Sequence, residues 1–519
     1  MKWAESLNKL DEGQGAYRKQ RSTSDNIFNL YAMAQKYLCK ERGRFYCAFI
    51  DFAQAFDTIP HTRLWQRLIT EGIHGKILCV LRSMYSKLKS CVKTDSGITE
   101  LFECHIGTRQ GCMISPLLFI LYINQLVYIC QRSGNPGLYL NEDFSSVHVL
   151  MYADDLAMVN DTVGRLQAEL NSLSQFCQKY GLRVNKLKTK IMVFRNGGKL
   201  RNNERWLYDG STIETVSYYK YLGITFSSRL NWSYALKIIA SQSQRALLKI
   251  NAIFGKCGDM PVSLGLELFD KLVVPILLYG SEVWGYEYRD SIEKVQRKYC
   301  KLLLGIASST PNDVVLGELG RLPLYTQYMP RCIKFWLKVI RSRNRYTKSC
   351  YDIIKRLDDI GKITWASHVK IILFSNGFGH VWLAQEVANE DIFLSMLSTR
   401  IRDAAKQNWY SNIPNTYCTY KFNFGAELYL GIVEWRRHRV ALARLRTGSN
   451  QLTINRLKGS IPRTERYCKY CLNHNVQQVE DEYNFFYDNI YKHVHIHENN
   501  VKYARITCKT IIVVHFSCI

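Results

Sequence analysis

The sequence predicts an α+β fold for its first half, and three observations lead to that prediction. An apolar, aromatic run over residues 45–50 has the composition of a β-strand, and an apolar pattern with helical spacing follows it at 62–69. Two more strand-like runs flank an acidic turn at 153–155, which is typical of a β-hairpin. Apolar residues then recur at helical spacing over 166–176. We expect an antiparallel sheet with helices packed on it.

A long apolar helix is predicted after Ser115 and Pro116, which suit its N-cap and its first position. The helix is expected to run from 117 to 129. It lies within an uncharged stretch, 113–130, that is just long enough to raise the question of a membrane span. Because that stretch contains a proline, an asparagine and a glutamine, we interpret it as a buried core helix.

The strands of the hairpin are expected at 147–152 and 156–159. The helical pattern after them ends before Gly181, a suitable C-cap residue. Single strands are then predicted over 182–194 and 219–226. The sheet should therefore gain further strands after the hairpin.

Changes of pattern divide the rest of the chain. Helical segments are predicted over 235–250, 264–274 and 292–304, so a domain boundary is expected near residue 228. From about 346 the chain is mostly helical and basic, and its last part mixes cysteine, histidine, asparagine and aromatic residues without clear periodicity. Four regions are predicted, spanning 1–227, 228–345, 346–465 and 466–519.

The composition favours an intracellular protein with a polyanionic partner. The chain has 70 Lys and Arg against 44 Asp and Glu, a formal charge of +26. Nucleic acid is the first candidate, although basic surfaces also aid solubility or bind acidic membranes. The 17 cysteines form no regular framework, and no apolar signal peptide follows Met1, which disfavours a secreted disulfide scaffold.

Three aspartates are predicted to meet at one edge of the sheet. Asp51 closes the first strand, and Asp154 and Asp155 lie at the tip of the hairpin. Taken singly, each has an ordinary interpretation as a strand-end or turn residue. Neighbouring carboxylates repel each other unless cations lie between them, and an oxygen-only ligand set suits Mg²⁺ or Mn²⁺. Two such ions can serve a phosphoryl transfer reaction.

A series of ordered motifs surrounds these aspartates. The motifs are Phe49-Ile50-Asp51-Phe52-Ala53-Gln54-Ala55-Phe56-Asp57, Gly107-Thr108-Arg109-Gln110-Gly111-Cys112, Ser115-Pro116-Leu117, Tyr152-Ala153-Asp154-Asp155, Gly181-Leu182-Arg183-Val184-Asn185, Lys188-Thr189-Lys190 and Tyr221-Leu222-Gly223. The series closely resembles the reverse transcriptases of non-LTR retrotransposons of the LINE type, in particular jockey-like elements. Specific motifs carry this resemblance over residues 12–227, and a looser likeness continues to about residue 485.

The resemblance implies an RNA-directed DNA polymerase that transfers a nucleotide from a dNTP to a primer 3′ hydroxyl. The implied fold is a right-hand polymerase palm, an antiparallel sheet with helices, plus a helical thumb and a mostly helical C-terminal region. It also implies that Asp51, Asp154 and Asp155 are the catalytic ligands of Mg²⁺ or Mn²⁺. The expected partners are an RNA template, a DNA primer or target DNA and dNTPs, without a membrane. The expected location is the nucleus if the element is active.

Five residues are implied in nucleotide binding. Phe56 stands where the family places an aromatic steric gate against a 2′ hydroxyl, with an ordinary core phenylalanine as the alternative. Gln110 and Gly111 offer amide groups near the incoming base, with a plain helix-entry turn as the alternative. Lys190 suits the pyrophosphate and Arg18 the triphosphate, and for both a solvated basic residue remains an equal alternative.

The sequence also departs from the family. Because the family has a fingers segment upstream of the Arg18 motif, we expect an N-terminally truncated protein with incomplete fingers. Gln54 stands where many relatives have lysine, and Gln20 where glycine is common. The truncation keeps a second hypothesis open, a catalytically inactive remnant that still binds nucleic acid. A telomerase or intron maturase is a third hypothesis, which the Ala-Phe-Asp and Tyr-Ala-Asp-Asp sequences disfavour.

Two features of the C-terminal regions bear on ligands. Cys468 and Cys471 have the spacing of half a zinc site, but the positions where the family has its other ligands hold Asn484 and Asn489, so we do not expect bound zinc. A basic segment that begins at Trp435 combines arginines with an aromatic ring. It suits phosphate contact and base stacking, and an exposed helix face is an equal alternative.

Overall fold

The computed structural model describes most of the chain. The described residues are 2–86, 88–109, 111–142, 146–257, 259–414, 417, 421–449, 461–467, 472, 477 and 479. They divide into two compact units whose segments alternate along the chain. The first unit falls within Met1–Ala235, Gly280–Glu287 and Arg331–Glu390, and the second within Leu236–Tyr279, Tyr288–Pro330 and Asp391–Ile519.

The strands of the described residues all belong to the first unit. In chain order they are β1 (Arg44–Ile50), β2 (Lys89–Ser90), β3 (Lys93–Thr94), β4 (Gly97–Ile98), β5 (Phe102–Glu103), β6 (Val149–Tyr152), β7 (Asp155–Asn160), β8 (Lys190–Arg195), β9 (Leu207–Tyr208), β10 (Ser211–Thr212), β11 (Tyr218–Tyr221) and β12 (Ile224–Ser227). Four of them form an antiparallel sheet in the order β6-β7-β1-β8, and the others pair as small two-stranded ribbons.

The described helices follow the same chain order. They are α1 (Lys2–Ser6), α2 (Thr23–Leu38), α3 (His61–Thr70), α4 (Gly75–Ser86), α5 (Ser115–Ile123), α6 (Gln125–Arg132), α7 (Val163–Tyr180), α8 (Ser233–Cys257), α9 (Val262–Leu268), α10 (Val274–Leu277), α11 (Ser281–Trp284), α12 (Asp290–Leu304), α13 (Asn312–Glu318), α14 (Tyr325–Ile340), α15 (Arg345–Asp359), α16 (Trp365–Ser375), α17 (Gly379–Ala384), α18 (Glu390–Asn412), α19 (Tyr429–Ile432) and α20 (Arg436–Arg446). A π-helical turn, Phe269–Val273, joins α9 to α10, and a 3₁₀ turn lies at Arg463–Glu465.

Different elements cover the two faces of the sheet. Tyr46 and Ile50 of β1 belong to a core that they share with α3, α5, α6 and α7. Phe49 faces the opposite side, where its ring stacks on Tyr219 of β11 with a centroid distance of 4.2 Å. Phe45 on this side stacks on a tyrosine of α2. Because both faces of β1 are buried, this strand is a continuous apolar run, which is how the sequence revealed it.

Most predicted elements of the first unit are confirmed. The strand at 45–50 is β1, the helix at 62–69 is α3, and the acidic turn joins β6 to β7. The C-cap at Gly181 is also confirmed, since this residue has the left-handed conformation that ends α7. The α+β class and the palm-like sheet with helices therefore match the prediction.

The predicted helix at 117–129 is divided in two. α5 begins at Ser115, after Ile114 as the N-cap residue, and the chain divides at Asn124 before α6. The side chain of Asn124 accepts a hydrogen bond from the backbone N–H of Asp11 at 2.8 Å. This buried amide therefore provides the acceptor for a backbone donor in a segment that is distant in the sequence. α5 is buried as predicted, and no helix of the described residues is long and apolar enough to cross a membrane.

Two predicted strands were wrong in extent. Only Lys190–Arg195 of the predicted strand at 182–194 pairs in the four-stranded sheet. The residues just before it form a turn, in which the N–H groups of Lys188 and Thr189 donate to the carbonyl of Asn185. The predicted strand at 219–226 is the hairpin β11–β12. Leu222 and Gly223 form its two-residue turn with φ of +47° and +85°, and this left-handed pair reverses the chain.

The second unit is mainly helical in its described residues. Its core contains apolar residues from α9, α12, α13, α19 and α20. Two buried acids are hydrogen-bonded inside it: Glu318 accepts from Arg446 Nε at 2.8 Å, and Glu293 accepts from the backbone N–H groups of Leu324 and Tyr325. The prediction of helical segments after residue 228 is confirmed in α8, in α9 to α10 and in α12.

Candidate active site

Strand register brings the three predicted aspartates to one edge of the sheet. β1 and β7 pair antiparallel, with Ile50 opposite Leu156 as the last pair. Continuing that register by one residue places Asp51 opposite Asp155. Asp154 lies between β6 and β7 in the two-residue turn that joins them. The predicted convergence of Asp51, Asp154 and Asp155 is therefore present in the backbone.

The acidic turn is held by a residue that the sequence did not single out. Ala153 has a φ of +56°, which is unusual for a residue with a side chain. Its backbone N–H donates to Gln14 Oε1 at 3.2 Å, and Gln14 is fully buried. The chain at Gln14 runs parallel to β6, where the N–H of Gly15 donates to the carbonyl of Met151 at 2.8 Å. The segment around Gln14 thus supports the carboxylate turn.

The electrostatics of the edge indicate mutual repulsion. Desolvation by partial burial raises the pKa of Asp154, and the charge of Asp51 raises it further. Desolvation, followed by the charges of Asp154 and Asp51, raises the pKa of Asp155 to about 6. Desolvation also raises the pKa of Tyr219, to about 12, with smaller contributions from the charges of Asp51 and Asp155. Negative charge at this edge is therefore under-compensated by the protein.

The segment after Gly181 supports Asp51 from the other side. The backbone N–H of Asn185 donates to the carbonyl of Asp51 at 2.7 Å, and Thr189 Oγ1 accepts from the N–H of Asp51 at 3.2 Å. Lys188 Nζ lies 4.0 Å from Asp51 Oδ2 on an exposed side chain. Lys188 is thus a cation beside the site, and it belongs to a motif in which the sequence had pointed to Lys190.

Phe56 lies in a turn that is tied to the Gly107 loop. The ring of Phe56 stacks on Phe119 of α5 with a centroid distance of 4.1 Å. Its carbonyl accepts from the N–H of Thr108 at 2.7 Å and from Thr108 Oγ1 at 3.1 Å. A Cβ on Gly107 would approach the carbonyl oxygen of Asp57 to 2.8 Å, so only glycine fits this contact. Hydrogen bonds therefore hold the turn that contains Phe56 against the loop at Gly107.

The predicted nucleotide-binding residues differ in their exposure and in the groups that they contact. Gly111 lies in open space with a φ of +82° before α5, and Gln110 is outside the described residues. Lys190 Nζ forms an ion pair with the exposed Glu214 at 2.6 Å. Arg18 is largely buried, and its Nη1 donates to the carbonyls of Asp11 and Gln14 at 2.8 and 3.2 Å. These contacts give Arg18 a structural role in the turn that supports the edge.

The candidate ligand-binding residues of the C-terminal regions also differ in their surroundings. Cys468 and Cys471 lie outside the described residues, so the structure says nothing of a zinc site there. In the basic segment, Arg439 donates to the carbonyl of Met260 and is buried. Trp435 is exposed, and the guanidinium of Arg437 lies 5.8 Å from its ring centroid. Only part of this segment therefore faces solvent.

The donor set at the edge fits a hard divalent cation. It offers carboxylate oxygens without sulfur or imidazole. The pKa values of Asp154 and Asp155 are raised by desolvation and then by neighbouring negative charge, which a cation would neutralise. Among the described residues, no three His, Cys, Asp or Glu side chains lie close enough to form a ready-made metal cage. Mg²⁺ is commonly bound by one or two carboxylates together with substrate phosphates, which agrees with an open arrangement.

Comparison with known proteins agrees with this geometry. Residues 1–226 match the family described as reverse transcriptase (RNA-dependent DNA polymerase). The chain is 25% identical over 299 residues to a probable RNA-directed DNA polymerase from transposon BS of Drosophila melanogaster, covering 55% of this chain and 31% of that protein. It is 21% identical over 302 residues to the RNA-directed DNA polymerase from mobile element jockey of Drosophila funebris, covering 57% and 32%.

Among solved structures, a telomerase from Candida tropicalis in complex with a fragment of telomeric RNA is 14% identical with a TM-score of 0.34, covering 77% of this chain and 55% of that one. The chain spans about a third of the length of the curated relatives it matches. The family match identifies residues 1–226 as a reverse transcriptase domain. The relatives include the mobile element jockey, so the predicted resemblance to jockey-like non-LTR elements is confirmed.

Proposed function

We propose that this chain catalyses RNA-directed DNA synthesis, transferring a nucleotide from a dNTP to a primer 3′ hydroxyl. The observation that carries the proposal is the strand register, which sets Asp51 beside Asp155 with Asp154 in the adjoining turn. Burial, followed by repulsion from neighbouring aspartates, raises the pKa values of Asp154 and Asp155. A divalent cation would relieve that repulsion.

Asp51, Asp154 and Asp155 would hold Mg²⁺ or Mn²⁺ in this reaction. When bound, two such ions activate the primer hydroxyl and neutralise the leaving pyrophosphate. The chain positions the carboxylates through Gln14 on one side and through Thr189 on the other. Preorganised positioning of this kind supplies much of the catalysis in phosphoryl transfer.

Other residues contribute to nucleotide binding in this proposal. Lys188 adds positive charge 4.0 Å from Asp51 and suits an anionic triphosphate. Phe56, fixed by its stack on Phe119, would exclude a 2′ hydroxyl, and Gln110 with Gly111 would contact the base. Lys190 would reach the pyrophosphate after leaving Glu214, a small cost for an exposed ion pair. Arg18 would instead stabilise the turn.

An RNA template and a DNA primer are the partners that this reaction needs. The formal charge of +26 supports binding to both. We further propose that residues 1–227 are the catalytic region, that 228–345 form a thumb-like region and that the basic region 346–465 aids binding. The nucleus is the proposed location, because target DNA is there.

Primer extension tests the proposal. The full chain is incubated with an RNA template, an annealed DNA primer, dNTPs and Mg²⁺, in parallel with Asp154→Asn and Asp95→Asn. Asp95 lies in the exposed β3–β4 turn, so its variant removes the same charge away from the site. We expect extension by the unaltered chain and by Asp95→Asn, with a loss of at least about 100-fold in Asp154→Asn because a metal ligand is removed.

RNA binding measured by fluorescence anisotropy separates the two hypotheses raised by the sequence. If the folded chain binds the primer–template but never extends it, the protein is an inactive remnant and the proposal is wrong. If Asp154→Asn extends the primer as fast as the unaltered chain, the assignment of the carboxylates is wrong.

A further inference from the structure

The first unit also contains a basic cleft, on the face of the sheet that packs against α3, α5, α6 and α7. It has a volume of about 430 Å³ and is lined by side chains from α3, α6 and α7. Its principal lining residues are Arg63, Arg67, Glu71, Tyr128, Arg132 and Lys179. None of these residues lies on the strands or the turn that carry the three aspartates.

The charges of the cleft are only partly neutralised by the protein. Arg67 and Glu71 are buried and form an ion pair with each other, and Arg67 Nε also donates to the carbonyl of Leu121 at 3.2 Å. Arg63, Arg132 and Lys179 are exposed, and none of them forms an ion pair with a carboxylate in the described part of the chain. Three positive charges on three different helices therefore remain for a bound anion.

Aromatic rings lie among these charges. Tyr128 is 39% exposed, and the guanidinium of Arg67 lies 5.9 Å from its ring centroid. Tyr180 lines the same cleft, and its ring stacks on Phe176 with a centroid distance of 4.9 Å. Flat rings held in place by their neighbours, beside cations that have no acidic partner among the described residues, are a combination by which proteins bind single-stranded nucleic acid.

We propose that this cleft binds a single-stranded segment of RNA, independently of the carboxylate edge. Its phosphodiester groups contact Arg63, Arg132 and Lys179, and one base stacks on Tyr128. A polymer fits this arrangement better than a single phosphate, because the three exposed cations come from three separate helices. The site goes beyond the proposed polymerase function, since it needs neither a divalent cation nor a primer.

The test compares two triple variants that remove equal charge. One is Arg63→Gln, Arg132→Gln and Lys179→Gln in the cleft. The control is Lys199→Gln, Arg201→Gln and Arg205→Gln, three exposed cations between β8 and β9. Binding of a fluorescent single-stranded 20-nucleotide RNA is measured with EDTA over a range of salt concentrations. Because each contact with a single strand contributes about 0.7 to the salt slope, the slope should fall by about 2 in the cleft variant.

We expect RNA affinity to fall about tenfold or more in the cleft variant and much less in the control. Inorganic phosphate at millimolar concentration should compete poorly, and Asp154→Asn should bind RNA as the unaltered chain does. Equal affinity and equal salt slope in the two triple variants, with both folded by circular dichroism, would overturn the proposal. Competition by phosphate as effective as that by RNA would also overturn it, because the cleft would then be a small-anion site. Neither result depends on primer extension.

Discussion

At the scale of single residues, the strand end and the turn that carry the three aspartates are held by Thr189 and Gln14, which come from distant parts of the chain. The sequence predicted the three aspartates as a site because they stand within an ordered series of motifs. Gln14 was not recognisable, because its contact with Ala153 joins positions 139 residues apart. Arg18 has the residue type that suits a triphosphate, yet burial against carbonyl groups determines what it contacts. Side-chain direction is set by tertiary packing, which the motif alone does not contain.

The raised pKa of Asp155 predicts a pH-dependent effect on stability. A carboxyl group whose pKa is about 6 in the folded state and near 3.8 in the unfolded state destabilises the fold when it is ionised. That penalty is absent well below pH 3.8, grows as the pH rises from about 4 to 6 and is complete above 6. Asp155→Asn should therefore raise the free energy of unfolding at pH 8, measured by urea denaturation without metal.

The same variant should have little effect near pH 3.5, where Asp155 is protonated in both states. Asp95→Asn, on an exposed turn, should change stability at neither pH. An equal gain from Asp155→Asn at both pH values would show that the cost of ionising Asp155 is not its cause.

Removal of the Gln14 side chain should weaken the acidic turn. Gln14→Ala leaves the N–H groups of Ala153 and Ala16 without their acceptor in a buried place, which costs about 1–3 kcal/mol. Urea denaturation measures this loss, and Gln178→Ala on the exposed face of α7 is the control. A cost below that of the control would mean that the hydrogen bonds do not hold the turn.

At the scale of elements, patterns predicted the type of structure better than its ends. The buried strand β1 and the helix α7 were recognisable from apolar runs and periodicity. The hairpin β11–β12 was predicted as one strand, because its turn contains Leu222 at a position where asparagine or glycine is usual. The helix interrupted at Asn124 was predicted as continuous, because Asp11, which donates a hydrogen bond to the Asn124 side chain, lies far away in the sequence.

The turn before α2 offers a test at this scale. Gln20 is exposed and has a φ of +63°, in the region where glycine is favoured. We expect Gln20→Gly to stabilise the fold by about 0.5–1 kcal/mol, because the left-handed strain exceeds the entropy that glycine loses. Thermal unfolding measures the gain. Gln178→Gly, within α7, should have the opposite sign, and a destabilised Gln20→Gly variant would contradict the conformational argument.

At the scale of the whole molecule, composition indicated the partner class but not the spatial organisation. The sequence was divided into four consecutive regions, and these boundaries stay a prediction. In the structure the two compact units draw on alternating segments, with 280–287 and 331–390 belonging to the unit that contains the sheet. Helical patterns give no indication of which segments return to an earlier core, because that choice depends on complementary surfaces. The excess of basic residues, in contrast, is directly visible.

The most direct test of the account is cation binding at the aspartates. Mn²⁺ is titrated into the full chain at pH 7.5, with and without a dNTP, and free Mn²⁺ is measured by electron paramagnetic resonance. We expect Mn²⁺ to bind, and to bind more tightly when the dNTP is present, because the phosphates complete the ligand set of the cation. Binding should weaken below pH 6 as Asp155 takes up a proton, and Asp154→Asn should lose it while Asp95→Asn retains it. Equal Mn²⁺ binding by folded Asp154→Asn and the unaltered chain would contradict the account.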